Sequence, residues 1–229
     1  GWVQTTLGPT VGTNEQRWYA VELRPGRSYC METALADFND VQSDTVMYMY
    51  PDTALSIGNR ISINDDYSIT GFSRGCFINA TENLDGALMG IRRAGSDPPN
   101  VAAAFPTIRG IRFRLTDTTV TAPWWFVNSG SGYNAFVEVA NNHVGSVNIS
   151  VKALSAAGAV LGIANRTLAG KGNIALSVGS NFGVAITVGS GSIELAHDGP
   201  VGAINMNVTS LSAVEGLSFD SPGSRRTNW

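Results

Sequence analysis

Leu115 to Asn128, L-T-D-T-T-V-T-A-P-W-W-F-V-N, decides how the chain is divided. To its left a run of short apolar-alternating segments closes on Ile111, Phe113 and Leu115, and to its right a second run opens with Trp124–Val127. The stretch holds four threonines, one proline and two adjacent tryptophans, but no glycine or serine. A free tether is rich in Gly and Ser, so a short stiff joint between two β-domains is expected instead. Neighbouring residues on a strand point to opposite faces. One of Trp124 and Trp125 is therefore expected to pack into the joint, and both are candidates for inter-domain packing.

Upstream, Trp18 to Leu23 alternates, with Tyr19, Val21 and Leu23 on one face and Trp18, Ala20 and Glu22 on the other. Arg24-Pro25-Gly26-Arg27 has the Pro and Gly placement of a type II turn. Ser28 to Ala36 reads as the next strand. Thr45 to Tyr50 is apolar on both faces, as in a strand covered on both sides. Ile61–Ile63, Phe72–Ala80, Gly86–Arg92 and Ile111–Leu115 complete the run, with a Pro-rich loop over Ser96–Pro106. Downstream, Tyr133–Val139, Val147–Ala153 and Val160–Gly162 alternate in turn, the last two joined at Ala156-Ala157-Gly158. Ile174–Val178, Val184–Val188, Ile193–His197, Ile204–Val208 and Leu217–Phe219 follow. Short strands at this spacing with no helical period predict an all-β chain of two tandem antiparallel sandwiches of jelly-roll or Ig-like type. The expected divisions are an N-terminal segment (1–16), a first sandwich (17–118), a second (123–222) and a tail (223–229).

The pieces R-W-Y-A-V-E-L-R-P-G-R-S-Y (Arg17–Tyr29), D-T-V-M-Y-M-Y-P-D (Asp44–Asp52), I-N-D-D (Ile63–Asp66) and I-R-F-R-L (Ile111–Leu115) occur in that order. Together they resemble the bacterial pre-peptidase C-terminal domain, over residues 14–118. The resemblance implies a jelly-roll-like sandwich appended to a secreted hydrolase or surface protein, in a family some of whose members bind calcium or matrix polymers. The second half, with W-F-V-N-S at Trp125–Ser129 and G-L-S-F-D-S-P at Gly216–Pro222, resembles β-sandwich modules of bacterial exported proteins that have no defined activity.

The two cysteines, Cys30 and Cys76, each lie in a short strand-like setting. A disulfide between them would close a loop of about 47 residues, worth about 4 kcal/mol on the chain-entropy account, and would place the chain in an oxidising compartment. The other reading is a pair of buried thiols. Calcium takes six to eight oxygens, and sandwich loops can gather them. The candidate ligands are Asp44, Asp52, Asn64, Asp65 and Asp66, with Asp37, Asn39 and Asp40 as a second group. Turn chemistry, in which Asp and Asn bond their own backbone, explains the same residues.

Charged residues are 14% of the chain, lysines are only Lys152 and Lys171, and the net charge is −3. No basic stripe favours nucleic acid, and no apolar run is long enough for a helical membrane span. Neither His143 nor His197 sits in a recognisable catalytic motif, so no enzyme activity is expected. Trp18, Trp124 and Trp125 would suit a sugar platform as well as core packing, and Trp2 and Trp229 stand near the termini. Few lysines to guard strand edges, and an N-terminal segment able to add a strand to a neighbour, point to self-association. The leading expectation is a secreted, non-catalytic structural or adhesive subunit of a bacterial surface layer or filament. The alternative is an accessory module of a secreted hydrolase that binds carbohydrate or matrix.

Overall fold

The computed structural model describes residues 3–7, 16–35, 45–55, 57–64, 72–80, 82–93 and 109–225. They form an all-β chain with several antiparallel sheets, grouped into two compact units. The first unit holds Gly1–Pro25 and Tyr29–Thr116, and the second Gly26–Ser28 and Asp117–Trp229. Among the described residues no helix is long and apolar enough to cross a membrane.

The strands of the first run are β1 (Val3–Leu7), β2 (Gln16–Leu23), β3 (Arg27–Leu35), β4 (Thr45–Tyr50), β5 (Ser62–Asn64), β6 (Arg74–Asn79), β7 (Leu84–Arg93) and β8 (Arg109–Asp117). They make two four-stranded sheets, in the orders β1-β8-β3-β6 and β2-β7-β4-β5. One core cluster draws Tyr29, Met31, Phe77, Ile111 and Phe113 from the first sheet and Leu23, Met47, Met49, Met89 and Ile91 from the second. Every residue of β4 is buried, as its two apolar faces predict. Met47 and Met49 enter the shared core, while Val46, Tyr48 and Tyr50 form a separate cluster with Trp18 and Leu88. Gly26 takes φ +71° at the third position of its turn, the left-handed value that a type II turn reserves for glycine.

The expected pairing of Cys30 with Cys76 is present as a disulfide, with the Cα atoms 4.1 Å apart. Its strands, β3 and β6, are sheet neighbours. On the same face of the sheet, Glu32 of β3 is held between Arg74 of β6 (2.6 Å) and Arg114 of β8 (2.7 Å). The N-terminal strand β1 pairs with β8 of its own chain, Val3 opposite Phe113 and Leu7 opposite Arg109. The strand that had looked available to a neighbour is thus used at home.

The second run comprises β9 (Val120–Asn128), β10 (Tyr133–Asn141), β11 (Val147–Ser155), β12 (Val160–Leu168), β13 (Asn173–Ser177), β14 (Val188–His197), β15 (Ile204–Ser212), β16 (Leu217–Pro222) and β17 (Ser224–Arg225). They follow the order β12-β11-β14-β9-β10-β15-β16, with β13 on β10 and β17 on β9. β9 and β10 share a single registered pair, Asn128 with Tyr133. The sheet turns at this corner, so that alternate residues of β11 and β14 meet those of β10 and β15 in one core.

Three sequence expectations change here. The strand expected over Val184–Val188 is absent except for Val188, which opens β14: Val184 to Thr187 is an irregular segment that seats Ile186 in the core, with Val184 and Val188 exposed. The expected tail contributes β17, which pairs Ser224 with Thr121. The turn Gly26–Ser28 groups with the second unit, where Ser28 N–H donates to Thr119 Oγ1 (3.0 Å) and Thr118 N–H to Ser28 O (2.8 Å).

Candidate functional site

Strand β9 settles the fate of the paired tryptophans through a one-residue bulge. Opposite it on β14, Gly191 faces Trp125 and Ile193 faces Ala122, so Ser192 alone opposes both Pro123 and Trp124. Proline has no N–H for the ladder and is found at bulges for that reason. The extra residue shifts the alternation by one position, leaving Ala122 and Trp125 both inward and Trp124 outward. Trp125 is fully buried, and its indole N–H donates at 3.1 Å to Ser192 O and to Leu154 O. It is therefore a core residue of the second unit.

Trp124 lies on the surface of the same unit with 39% of its area exposed. Its ring runs parallel to that of Phe126, with an interplanar angle of 2° and centroids 6.1 Å apart. Phe219 of β16 meets the Trp124 ring edge-on at 5.9 Å, and Tyr133 of β10 meets Phe126 at 5.4 Å. Phe219 and Leu217 are nearly half exposed. The backbone beneath is pinned by serines where β10 has turned away: Trp124 N–H donates to Ser221 Oγ (3.2 Å) and Phe126 N–H to Ser210 Oγ (3.0 Å). At the end of the row the Tyr133 hydroxyl donates to Glu215 at 2.6 Å. That carboxylate favours the protonated phenol and raises the Tyr133 pKa above its ordinary value. The result is a row of aromatic rings with a polar terminus, braced from below and open above.

Trp18 is placed differently. A Cβ on Gly90, its cross-strand partner, would lie 2.4 Å from the indole, so the ring rests on the one residue type that leaves it room. Tyr50 is 5.9 Å away, and Arg60 and Arg92 flank the Tyr48 ring at 5.8 and 5.3 Å. Tyr48 and Tyr50 are buried, so this group is a packed cluster and not an open row. Trp2 and Trp229 lie outside the described residues.

Of the calcium candidates, Asp44, Asp65 and Asp66 lie outside the described residues, as do Asp37, Asn39 and Asp40. Asp52 is exposed and accepts from Ala54 N–H at 2.7 Å, the local turn bond. Asn64 Oδ1 accepts from Arg74 N–H at 2.8 Å. Among the described residues no three His, Cys, Asp or Glu side chains come together as a metal-binding group.

His197 is fully buried in the second unit. Burial pushes its pKa down to about 4, against a smaller upward pull from the Gly199 and Thr118 backbones and from Asp198. The Asp198 carboxylate is itself taken up by Asn148, at 2.8 Å from its N–H and 2.7 Å from its Nδ2. The pair is not arranged as a nucleophile-activating couple.

No family model and no curated protein matches the chain. Among solved structures it is similar to a β-glucuronidase from glycoside hydrolase family 2, with 12% identity and a TM-score of 0.23, over 94% of this chain and 24% of that one. It is also similar to a Bacteroides uniformis β-glucuronidase, with 10% identity and a TM-score of 0.24, over 93% of this chain and 26% of the other. The chain spans about a quarter of the length of these enzymes.

Proposed function

We propose that this protein is a non-catalytic, extracellular carbohydrate-binding module made of two tandem antiparallel β-sandwiches. One observation carries the reading: the surface row of exposed Trp124 and Phe219 with half-buried Phe126, in which two rings lie parallel within 2°. Aromatic rings present a flat apolar surface with a negative face, suited to the C–H-lined side of a pyranose. Exposed apolar patches of this kind mark interaction surfaces. The Cys30–Cys76 disulfide supports an oxidising compartment. The family assignment for residues 14–118, and calcium at the loops carrying Asp44, Asp52, Asn64, Asp65 and Asp66, belong to the same proposal. Calorimetric titration with Ca²⁺ checks the latter, and absence of heat removes it.

The test is retention on insoluble polysaccharides together with a glycan array. Wild-type protein is expected to bind at least one glycan, and Trp124→Ala and Phe219→Ala to abolish retention while leaving the fold intact. Failure of the wild type to bind any glycan would refute the reading.

A second reading, a self-assembling surface subunit, draws on strand β12. It lies at a sheet edge and exposes Val160, Leu161 and Ile163. Apolar edge strands invite pairing. Light scattering that shows a monomer at all concentrations, with and without Ca²⁺, disposes of it.

A further inference from the structure

The outward face of β13, β10 and β15 holds a trough of about 480 Å³, lined by Glu138, Ala140, Asn173, Ala175, Asn205 and Asn207 among others. The strand register sets these side chains in two cross-strand rows. Asn207, Glu138 and Ala175 stand opposite one another, and Asn205, Ala140 and Asn173 form the next row. Neighbours in such rows are about 5 Å apart. Two alanines give the trough a low apolar floor, and one carboxylate and three amides rise around it.

The charge arrangement is one-sided. Glu138 is exposed, and no cationic side chain lines the trough. Lys171, close to Asn173 in sequence, gives its ammonium to the Asn142 carbonyl at 2.5 Å. At the margin Asp220 accepts from Thr209 Oγ1 at 2.7 Å and from Asn207 Nδ2 at 3.5 Å, which adds a second negative charge. A complementary ligand carries one positive charge and several hydroxyls. It is also small enough for a site within the usual range of about 300–1,000 Å³.

We propose that this trough is a subsite for a protonated amino sugar, a hexosamine unit of a glycan. The ammonium pairs with Glu138, ring hydroxyls exchange hydrogen bonds with Asn173, Asn205 and Asn207, and the C–H face lies over Ala140 and Ala175. Charge complementarity also supplies specificity: a uronic acid would bring its carboxylate against Glu138 and Asp220. The trough is separate from the aromatic row, so the two proposals can fail independently.

The test is a two-dimensional ¹H–¹⁵N NMR titration of the full chain at pH 6 with glucosamine hydrochloride and, separately, sodium glucuronate. Glucosamine is expected to give saturable shifts at the amides of Glu138, Asn173 and Asn205, and glucuronate none there. Glu138→Gln is expected to weaken glucosamine binding by about tenfold or more, with the rest of the spectrum unchanged. Trp124→Ala should leave the trough titration as in the wild type. Absence of trough shifts, equal response to glucuronate, or unchanged binding by Glu138→Gln would each overturn the proposal.

Discussion

Acidification should destabilise the second unit through the buried His197. The imidazole is fully buried, and its pKa is pushed down from 6.5 to about 4. A base whose folded pKa lies below its unfolded value binds more protons when unfolded. Stability is therefore full above pH 6.5 and falls as pH drops towards the folded pKa, by about 1.4 kcal/mol per pH unit. Integration gives a loss of about 1 kcal/mol by pH 5.5 and roughly 2–3 kcal/mol by pH 4.5. Carboxylates titrate in the same window, so the comparison has to be differential. Urea unfolding of wild type, His197→Asn and His197→Leu should be followed from pH 7.5 to 4.5 by tryptophan fluorescence, which reports Trp125 in the same core. Both variants are expected to start less stable at pH 7.5, because each disturbs a close-packed site. The gap to wild type should then narrow by about 2 kcal/mol as the pH falls. Stability curves that run parallel, or an imidazole proton resonance of His197 with a midpoint near 6.5, would refute the reasoning.

Trp125→Ala should cost the second unit about 3–5 kcal/mol in chemical unfolding, whereas exposed Trp124→Ala should cost under about 1 kcal/mol; equal losses would contradict the bulge assignment. Replacing Cys30 and Cys76 together by serine should lower the stability of the first unit by about 4 kcal/mol, measured by denaturant midpoint under non-reducing conditions. Glu32→Gln leaves Arg74 and Arg114 facing a neutral amide, and a loss of roughly 1–3 kcal/mol is expected from thermal unfolding. Tyr133→Phe should leave stability within about 1 kcal/mol of wild type, and absorbance titration should lose one phenol that titrates above the ordinary tyrosine value.

Much of the fold was legible because a half-buried strand encodes inside and outside by parity. Tyr19, Val21 and Leu23, or Val147, Ile149 and Val151, face their cores as their alternation says. β4 was legible as a doubly covered strand because all six of its residues are buried. Pairing was not legible. Glu32 between Arg74 and Arg114 depends on strands far apart in sequence, as does the cross-strand row of Glu138 and Asn207. Val184 to Thr187 misled because alternation records which residues are buried, and an irregular segment can bury Ile186 as a strand would. Gly26–Ser28 joins the second unit through bonds to Thr118 and Thr119, which hydropathy does not register. The adjacent tryptophans marked a special place, but which ring goes inside depends on whether the strand carries an extra residue.

That extra residue gives β9 the character of a counter. Between Ala122 and Trp125 two residues stand where one would keep the ordinary alternation. The surface chemistry of this strand is therefore written in the number of residues before the tryptophans as much as in their identity. If the strand were straightened without removing a residue, the rings would exchange places: the buried anchor would be exposed to solvent and the exposed ring would move into the core. Removing Pro123 would restore the ordinary alternation with Trp125 still inward and Trp124 still outward, so the bulge is what lets the strand carry an extra residue without exchanging its two rings.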